Sequence, residues 1–200
     1  MEKLRSLKIQ AETPLSTNFI KNLSLGDEVY LTGEIVTIRD MGCARAINYK
    51  LKNKMLPVKL YEAVIYHCGP IVKKVRGEWK VVAAGPTTSM RMNHSTPQLI
   101  KLFKIKMIIG KGGMGLETAS ALKEHIGVYC AFTGGAGVAA AKMIKKIVKV
   151  EWLDLGVPEA LWVFKVENFG PLIVAIDSKG NNLYEKVKLK VDENLRRILK

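Results

Sequence analysis

The chain has 200 residues, of which 48% are hydrophobic and 25% are charged. A chain of this length can bury roughly 70% of its unfolded surface in one core, so the composition predicts a single globular domain over residues 1–200 and excludes disordered and membrane-spanning proteins. The first twenty residues hold no apolar stretch of the length that a secretory signal needs, and we therefore expect a cytoplasmic protein.

The chain is strongly basic, with 32 Lys and Arg against 18 Asp and Glu and a formal charge of +14. Such a charge attracts nucleic acids, anionic membranes or small acidic substrates. The basic residues alternate with Ile, Val and Leu, which is typical of solvated faces, and only 7% of the residues are aromatic. No strand combines the aromatic and basic residues that stack on bases, so no nucleic-acid or membrane partner is predicted, and nucleic-acid binding is kept as an alternative.

The three cysteines, Cys43, Cys68 and Cys130, are far apart in the sequence and form no C-x-x-C pair. An odd number without close spacing predicts free thiols rather than disulfides. Three thiolates could hold an iron–sulfur cluster. Cys68 and Cys130 lie in apolar runs, however, where packing explains them, and we predict no metal site in this chain.

In chain order, the first strong pattern is at residues 29–38, which alternate and are rich in β-branched residues, as in a strand. A helix is predicted over residues 41–54 with Asp40 as its N-cap. Residues 58–66 are predicted to be extended up to the break at Gly69 and Pro70.

Three strand-turn-helix units follow in the middle of the chain. Their strands are predicted at residues 79–84, 105–109 and 128–132, and their helices are predicted to end near Phe103, His125 and Ile147. Residues 148–177 have mainly strand patterns, and a short strand and a helix are predicted over residues 182–200. The prediction is a mixed α/β domain with more than one sheet layer, in which parallel strands bring their following turns to one edge.

The turns of these units are suited to an anionic ligand. Each places backbone N–H groups at a helix N-terminus, where the helix dipole favours negative charge. Arg39, Arg91 and Lys111 add full positive charges, which suit a ligand with two anionic ends. Glycines in a single turn of this kind can also serve the backbone alone.

A second interpretation of one turn is dinucleotide binding. Gly110, Gly112 and Gly115 match G-x-G-x-x-G between a strand and a helix. The residues after the next strand, Thr133 to Gly135, include no Asp or Glu to accept the ribose hydroxyls, and a dinucleotide-binding oxidoreductase stays an alternative. His67 and His94 lie near the polar turns without a spacing that links them to a catalytic partner, so a structural role is predicted for both.

Six segments together resemble a known family. They are GDEVYLTGEIVTIRD, IYHCGP, GPTTSMRM, IGKGGMG, TGGAG and LGVPEALWVFKVENFGPLIVAID, between Gly26 and about Tyr184. In this order they are similar to the β subunit, or C-terminal half, of class I fumarate hydratases and the related L-tartrate dehydratases. The combination of GPTTSMRM with IGKG is highly specific.

The resemblance implies a swivelling β/β/α domain and a hydro-lyase that interconverts fumarate and (S)-malate in the tricarboxylic acid cycle, with L(+)-tartrate dehydratase as the alternative. It also implies an α subunit that holds a [4Fe-4S] cluster through three cysteines, so that this chain alone is inactive. A homodimer of β subunits or a dimer of αβ heterodimers is expected.

The resemblance also implies roles for particular residues. Arg39, Arg91 and Lys111 would hold the substrate carboxylates, and Thr87 would be the base at the reacting carbon. Supporting roles are implied for Thr88, Ser89, Gly112 and Arg45.

Two positions depart from the family pattern. Cys43 replaces a histidine that is common after the first strand, and Asn93 replaces an aspartate that is common after the R-M pair.

Overall fold

The fold, seen in a computed structural model that describes residues 7–199, combines strands with helices throughout its length. Residues 1–6 and 200 of the predicted domain lie outside the described residues. The strands are β1 (Lys8–Glu12), β2 (Glu28–Thr37), β3 (Val64–Tyr66), β4 (Ile71–Val75), β5 (Glu78–Ala83), β6 (Met107–Gly110), β7 (Val128–Ala131), β8 (Ile144–Glu151) and β9 (Leu161–Ile176). The helices are α1 (Thr17–Asn22), α2 (Asp40–Leu51), α3 (Thr96–Phe103), α4 (Leu116–His125), α5 (Gly137–Met143) and α6 (Leu183–Ile198), with short 3₁₀ helices at Ser89–Met92 and Leu153–Leu155.

Seven of the strands form one sheet in the order β1-β2-β3-β6-β7-β9-β8. Strand β2 also pairs with β9, so that β2, β3, β6, β7 and β9 close into a ring. The neighbours from β2 to β7 are parallel, whereas β9 runs antiparallel to both β2 and β7. Strands β4 and β5 form a separate hairpin. The predicted mixed α/β fold with more than one sheet is confirmed.

Two apolar cores cover the two faces of this ring. Along β3, Val64 and Tyr66 point into the core that the ring encloses, whereas Ile65 points into the core under α2, α3 and α4. In the enclosed core, Tyr66 and Phe132 both pack against Phe169, with ring centroids 5.3 and 5.0 Å apart. Because β3, β6 and β7 are buried on both faces, their sequences are continuous apolar runs rather than alternating patterns.

The parallel strands bring their following turns to one edge of the ring, as predicted. The turn after β5 reaches the same edge, since Pro86 bridges to Cys68 after β3, and Thr88 bridges to Lys111 after β6. Among the described helices, none has both the length and the apolar composition to span a membrane.

Two predicted boundaries after β7 were wrong. The helix predicted to end near Ile147 ends at Met143, and β8 begins at the next residue. The reason is tertiary: residues 144–151 are rich in Ile and Val and pair with β9, which overrides their helical composition. After them, β9 is one strand of 16 residues where two strands were predicted.

Smaller corrections concern three other segments. Of residues 58–66, only Val64–Tyr66 form a strand, opposite Met107 to Ile109. Asp40 is the first residue of α2 rather than its N-cap, because its carboxylate faces two arginines instead of the helix end. Before α6, the predicted short strand is a single bridge between Asn182 and Ile176.

Candidate active site

Two arginines meet at one carboxylate on this edge of the ring. Asp40 Oδ2 lies 3.1 Å from Arg91 Nη2 and 3.9 Å from Arg39 Nη2. Arg39 Nε also lies 3.3 Å from Glu159 Oε1. The Arg91 side chain is 54% exposed and the Arg39 side chain 18% exposed. Asp40 thus accepts a hydrogen bond from Arg91 and lies at ion-pair distance from Arg39, while Arg91 keeps donors free for a ligand.

The turn after β5 and the turn after β6 run side by side and are joined through their backbones. The Lys111 N–H donates to the Thr87 carbonyl at 3.3 Å, and the Ser89 N–H donates to the Lys111 carbonyl at 2.8 Å. The Thr87 N–H donates to the His67 carbonyl at 2.6 Å. These bonds fix Thr87, Thr88 and Lys111 on neighbouring backbones, and each of the three is partly exposed.

Glycines allow this close approach of the two turns. A methyl group on Gly110 would overlap the Ser89 hydroxyl, and a methyl group on Gly112 would lie 3.2 Å from Thr88 Cγ2. Gly112 also has a φ of +77°, a left-handed conformation that favours glycine. The predicted substrate residues Arg39, Arg91, Lys111 and Thr87 are therefore carried by turns that meet at one edge.

A buried hydrogen-bonded group lies beneath these turns. His67 Nδ1 is 2.9 Å from Ser89 Oγ, and the Tyr129 hydroxyl donates to Ser89 Oγ at 3.2 Å. Ser89 Oγ thus joins Tyr129 to His67, and the hydrogen between Ser89 Oγ and Nδ1 belongs to the hydroxyl in one imidazole tautomer and to the ring in the other. Burial lowers the pKa of His67 to about 4, although the nearby Asp40 carboxylate opposes this shift.

His67 Nε2 is the part of this group that lacks a partner. It is buried and has no hydrogen-bond partner among the described residues. The link from His67 to Ser89 was not predicted, because the two residues are 22 positions apart and follow different strands. The sequence shows only that each residue follows a predicted strand.

Arg45, for which the resemblance implied a supporting role, is engaged elsewhere. Its guanidinium makes two bonds to the Asp154 carboxylate at 2.9 and 2.7 Å and lies 5.4 Å from the centre of the Trp152 ring. The same bonds lower the pKa of the Asp154 carboxyl. The structure therefore does not join Arg45 to the arginine pair around Asp40.

The two departures from the family pattern have clear local roles. The Asn93 side-chain oxygen accepts from the Gly115 N–H and from the Thr118 hydroxyl, both at 2.9 Å, and so caps the beginning of α4. Arg91 is oriented by Asp40 instead. Cys43 is buried, and burial raises its pKa to about 12, so it is a neutral thiol that cannot replace a histidine in proton transfer at neutral pH.

The described residues do not fit a metal or cluster site. Residues 7–199 contain no group of three His, Cys, Asp or Glu side chains in a ligand arrangement. All three cysteines are buried, and burial raises the pKa of each thiol. Thiolates, which are the ligands of iron–sulfur clusters, are therefore disfavoured at all three positions.

The glycine loop also differs from a dinucleotide site. The space beside Gly110 is filled by Ser89, and the space beside Gly115 is filled by Asn93, whose Nδ2 would lie 2.9 Å from an added methyl group. In the dinucleotide fingerprint, glycines serve the approach of a pyrophosphate and the packing of helix on strand. Two of the three glycines here accommodate side chains of this chain instead, which disfavours the oxidoreductase alternative.

Comparisons with known proteins show the family of this chain. Residues 1–187 match the family described as Fumarase C-terminus. A protein of Methanocaldococcus jannaschii, provisionally named an L(+)-tartrate dehydratase subunit beta, is 46% identical over 186 residues, which are 92% of this chain and 95% of the relative. The L(+)-tartrate dehydratase subunit beta of Escherichia coli K12 is 41% identical over 176 residues, which are 88% of this chain and 86% of the relative.

A third relative is longer than this chain and is named as a fumarate hydratase. A protein of Geobacillus stearothermophilus, provisionally named a class I fumarate hydratase, is 41% identical over 181 residues, which are 90% of this chain and 34% of the relative. The match of the family over residues 1–187 and the high coverage of these relatives lead to one conclusion. The chain belongs to the Fumarase C-terminus family.

Proposed function

We propose that this protein is the β subunit of a two-subunit hydro-lyase that interconverts fumarate and (S)-malate. The observation that carries the proposal is the meeting of Arg39 and Arg91 at Asp40, on the edge that also presents Thr87 and Lys111. A dicarboxylate has two anionic ends, and this edge offers cations from three different turns.

The two kinds of cation have different roles in this proposal. The guanidinium of Arg91 is half-exposed and can bind a carboxylate through two parallel hydrogen bonds, while Asp40 holds its direction. Arg39, more buried and braced by Glu159, supports the same end of the ligand. Lys111 is a movable point charge for the second carboxylate.

Thr87 is the proposed base. In the direction from malate to fumarate, the anionic Thr87 oxygen takes a proton from the carbon that does not carry the hydroxyl group, and the electron pair moves onto the carboxylate of that carbon. The pair then forms the double bond as the bond from carbon to the hydroxyl group breaks, and the departing hydroxide takes up one proton, equal to the one that Thr87 removed, to become water. The surrounding cations stabilise both the negative charge on the substrate and the anionic form of the Thr87 hydroxyl that this role requires. The backbone bonds to His67 and Lys111 hold Thr87 in place.

The [4Fe-4S] cluster is assigned to the α subunit, where it would supply a Lewis acid for the substrate hydroxyl. The names of the relatives as beta subunits support a partner that this chain needs. This chain contributes the carboxylate-binding cations and the base.

L(+)-tartrate is the second candidate substrate. It is supported by the two relatives named as L(+)-tartrate dehydratase subunits, because they match this chain over most of both lengths. Tartrate is also a dicarboxylate from which water can be eliminated, so the same cations serve either substrate.

The test is anaerobic co-expression with the cluster-binding α subunit from the same genome, followed by assays with fumarate, malate and L(+)-tartrate. We expect turnover of fumarate and malate by the complex and none by either subunit alone. Turnover of tartrate only would select the second candidate. A complex that forms with its cluster intact but converts none of these dicarboxylates would contradict the proposed function.

A further inference from the structure

Helix α6 is not packed along the rest of the chain. None of its 16 residues is buried against the described part of the chain. It is anchored at its beginning, where Asn182 Nδ2 donates to the Met114 carbonyl at 3.0 Å and the Tyr184 ring covers Gly113. The remaining turns of α6 carry exposed apolar side chains that the chain itself does not cover.

Four of these apolar side chains lie on one face of α6, whereas Leu189 lies on the opposite face. Val187, Val191, Leu195 and Ile198 are 54%, 56%, 51% and 79% exposed, and Tyr184 begins the series at 39% exposed. Their spacings of 3, 4, 4 and 3 residues place all five along one stripe of a helix. We call these five residues the α6 stripe. A single helix of this length is marginally stable in water without a partner for its apolar face.

The α6 stripe has the symmetry that a second copy of α6 requires. Counted from Val191, its members lie at −7, −4, +4 and +7, so the pattern is the same in both directions. Two antiparallel copies centred on Val191 would place Val187 beside Leu195 and Tyr184 beside Ile198. Apolar side chains then face apolar side chains along the whole contact, as an isologous two-fold interface requires.

The charges of α6 favour the antiparallel direction. Residues 183–190 contain three Lys and one Glu, a charge of +2, whereas residues 192–199 contain two Arg, one Asp and one Glu, a charge of 0. Parallel copies would place the +2 halves side by side, whereas antiparallel copies place each +2 half beside a neutral half. Antiparallel helix dipoles also attract each other.

We propose that α6 pairs with α6 of a second copy of this chain, antiparallel about a two-fold axis at Val191. Three of the five stripe residues lie beyond residue 187, where the match to the Fumarase C-terminus family ends, so the shared chemistry of the family does not account for them. The proposal is independent of the proposed function, because α6 carries none of the proposed catalytic or substrate-binding residues.

The first experiment measures the mass of the full chain in solution by light scattering. We expect twice 22.2 kDa for the natural chain, and a monomer for Val191→Glu, because two carboxylates would then meet at the axis. Leu189→Glu is the matched control: Leu189 is 62% exposed but lies on the opposite side of α6, so this variant should remain a dimer. Both variants should still unfold cooperatively, since neither side chain is buried within the chain, and only Val191→Glu should lose the dependence of the unfolding temperature on protein concentration that a dimer has.

A second experiment tests the axis and the direction. Val191→Cys should form a disulfide between two copies on mild oxidation, and Leu189→Cys should not, while the three native cysteines are buried. A mixture of Val187→Cys and Leu195→Cys chains should cross-link to each other rather than each to itself.

Four outcomes would overturn the proposal. They are a monomeric natural chain, a dimer that survives Val191→Glu, self-linking of Val187→Cys, and an α6 stripe occupied by something else. The last would appear as a monomer that requires Val191 to bind the α subunit or to bind vesicles containing anionic lipid. None of these measurements depends on enzyme activity, so their failure is distinguishable from failure of the proposed function.

Discussion

His67 is a neutral imidazole beneath the turns that carry Thr87 and Lys111. Ser89 satisfies its Nδ1, and its Nε2 is unpartnered among residues 7–199. An unpartnered buried polar atom lowers stability by about 1–3 kcal/mol, and protonation of the ring would add a buried charge. The neutral state of His67 is thus a condition for the folded arrangement of these turns.

Stability should therefore depend on pH through His67. Its pKa is lowered to about 4 in the folded protein, so below its ordinary value of 6.5 the unfolded chain binds a proton that the folded chain does not. Stability is then complete above pH 6.5 and falls as the pH decreases to 4, by up to about 3 kcal/mol. Urea unfolding at a series of pH values between 4 and 6.5 measures how the free energy of unfolding changes with pH. This change should be clearly smaller in His67→Gln than in the natural chain, whereas His94→Gln, a variant of an exposed histidine, should show the natural change. An unchanged pH dependence of the free energy of unfolding in His67→Gln would contradict this role of His67.

Gly110 and Ser89 should be coupled in stability. Gly110→Ala places a methyl group on the Ser89 hydroxyl and should lower the free energy of unfolding by about 1–3 kcal/mol. Ser89→Ala removes that hydroxyl, so the double variant should lose at least about 1 kcal/mol less than the sum of the single variants. Gly85→Ala is the control, because its added methyl group would find its nearest neighbour at 3.5 Å. Additive effects of Gly110→Ala and Ser89→Ala would show that the two positions do not touch.

The site residues that follow strands could be predicted from the sequence, and their partners could not. Arg39 and Lys111 are placed by the ends of β2 and β6, and this local pattern was sufficient to predict that they share an edge. The bond between Arg91 and Asp40 joins positions 51 residues apart, and it depends on how the turn after β5 crosses the beginning of α2. Such long-range contacts leave no periodic trace in the sequence.

At the scale of elements, α4 begins without a capping side chain from its own N-cap, Gly115. Asn93, the residue after the 3₁₀ helix Ser89–Met92, supplies the missing acceptor from 22 positions earlier in the chain. This contact links the segment that carries Arg91 to the helix that follows Lys111. The cap therefore also fixes one substrate turn relative to the other.

Substitutions of Asn93 should change the free energy of unfolding as substitutions of a helix N-cap do. Asn93→Ala should lower the free energy of unfolding by about 1 kcal/mol, because the Gly115 N–H loses its acceptor. Asn93→Asp should be at least as stable as the natural chain, since a negative charge at a helix N-terminus is favourable. Chemical denaturation at pH 7 measures both. An Asp variant less stable than the Ala variant would contradict the capping role.

Helix and strand types were predictable where a local pattern and tertiary pairing agree. The strand at β2 and the helix ends at Phe103 and His125 were predicted, and each coincides with a strong local pattern. The junction at Met143 was not, because alanines before it favour a helix while pairing with β9 makes the following residues a strand. The end of α5 is therefore set by the pairing of β8 with β9 in the complete sheet.

At the scale of the whole molecule, the ring formed by β2, β3, β6, β7 and β9 holds the turns at one edge in fixed positions. That edge gathers cations and a hydroxyl but no ligand set for a metal within residues 7–199. The sequence predicted the parallel strands, whereas closure through β2 and β9 depends on a pairing between residues more than 120 positions apart. These residues are the part of the active site that the proposed function assigns to this chain.

The most direct test of this account is kcat/KM of the assembled two-subunit enzyme with Arg91→Ala or Lys111→Ala, on whichever dicarboxylate the natural complex converts. Each variant should lose about 2–4 kcal/mol of transition-state stabilisation, which is roughly 30- to 1000-fold in kcat/KM. Arg76→Ala and Lys73→Ala, in the exposed hairpin of β4 and β5, should keep the natural value. Full activity in Arg91→Ala or Lys111→Ala, with the complex and its cluster intact, would contradict the claim that these turns form one dicarboxylate site.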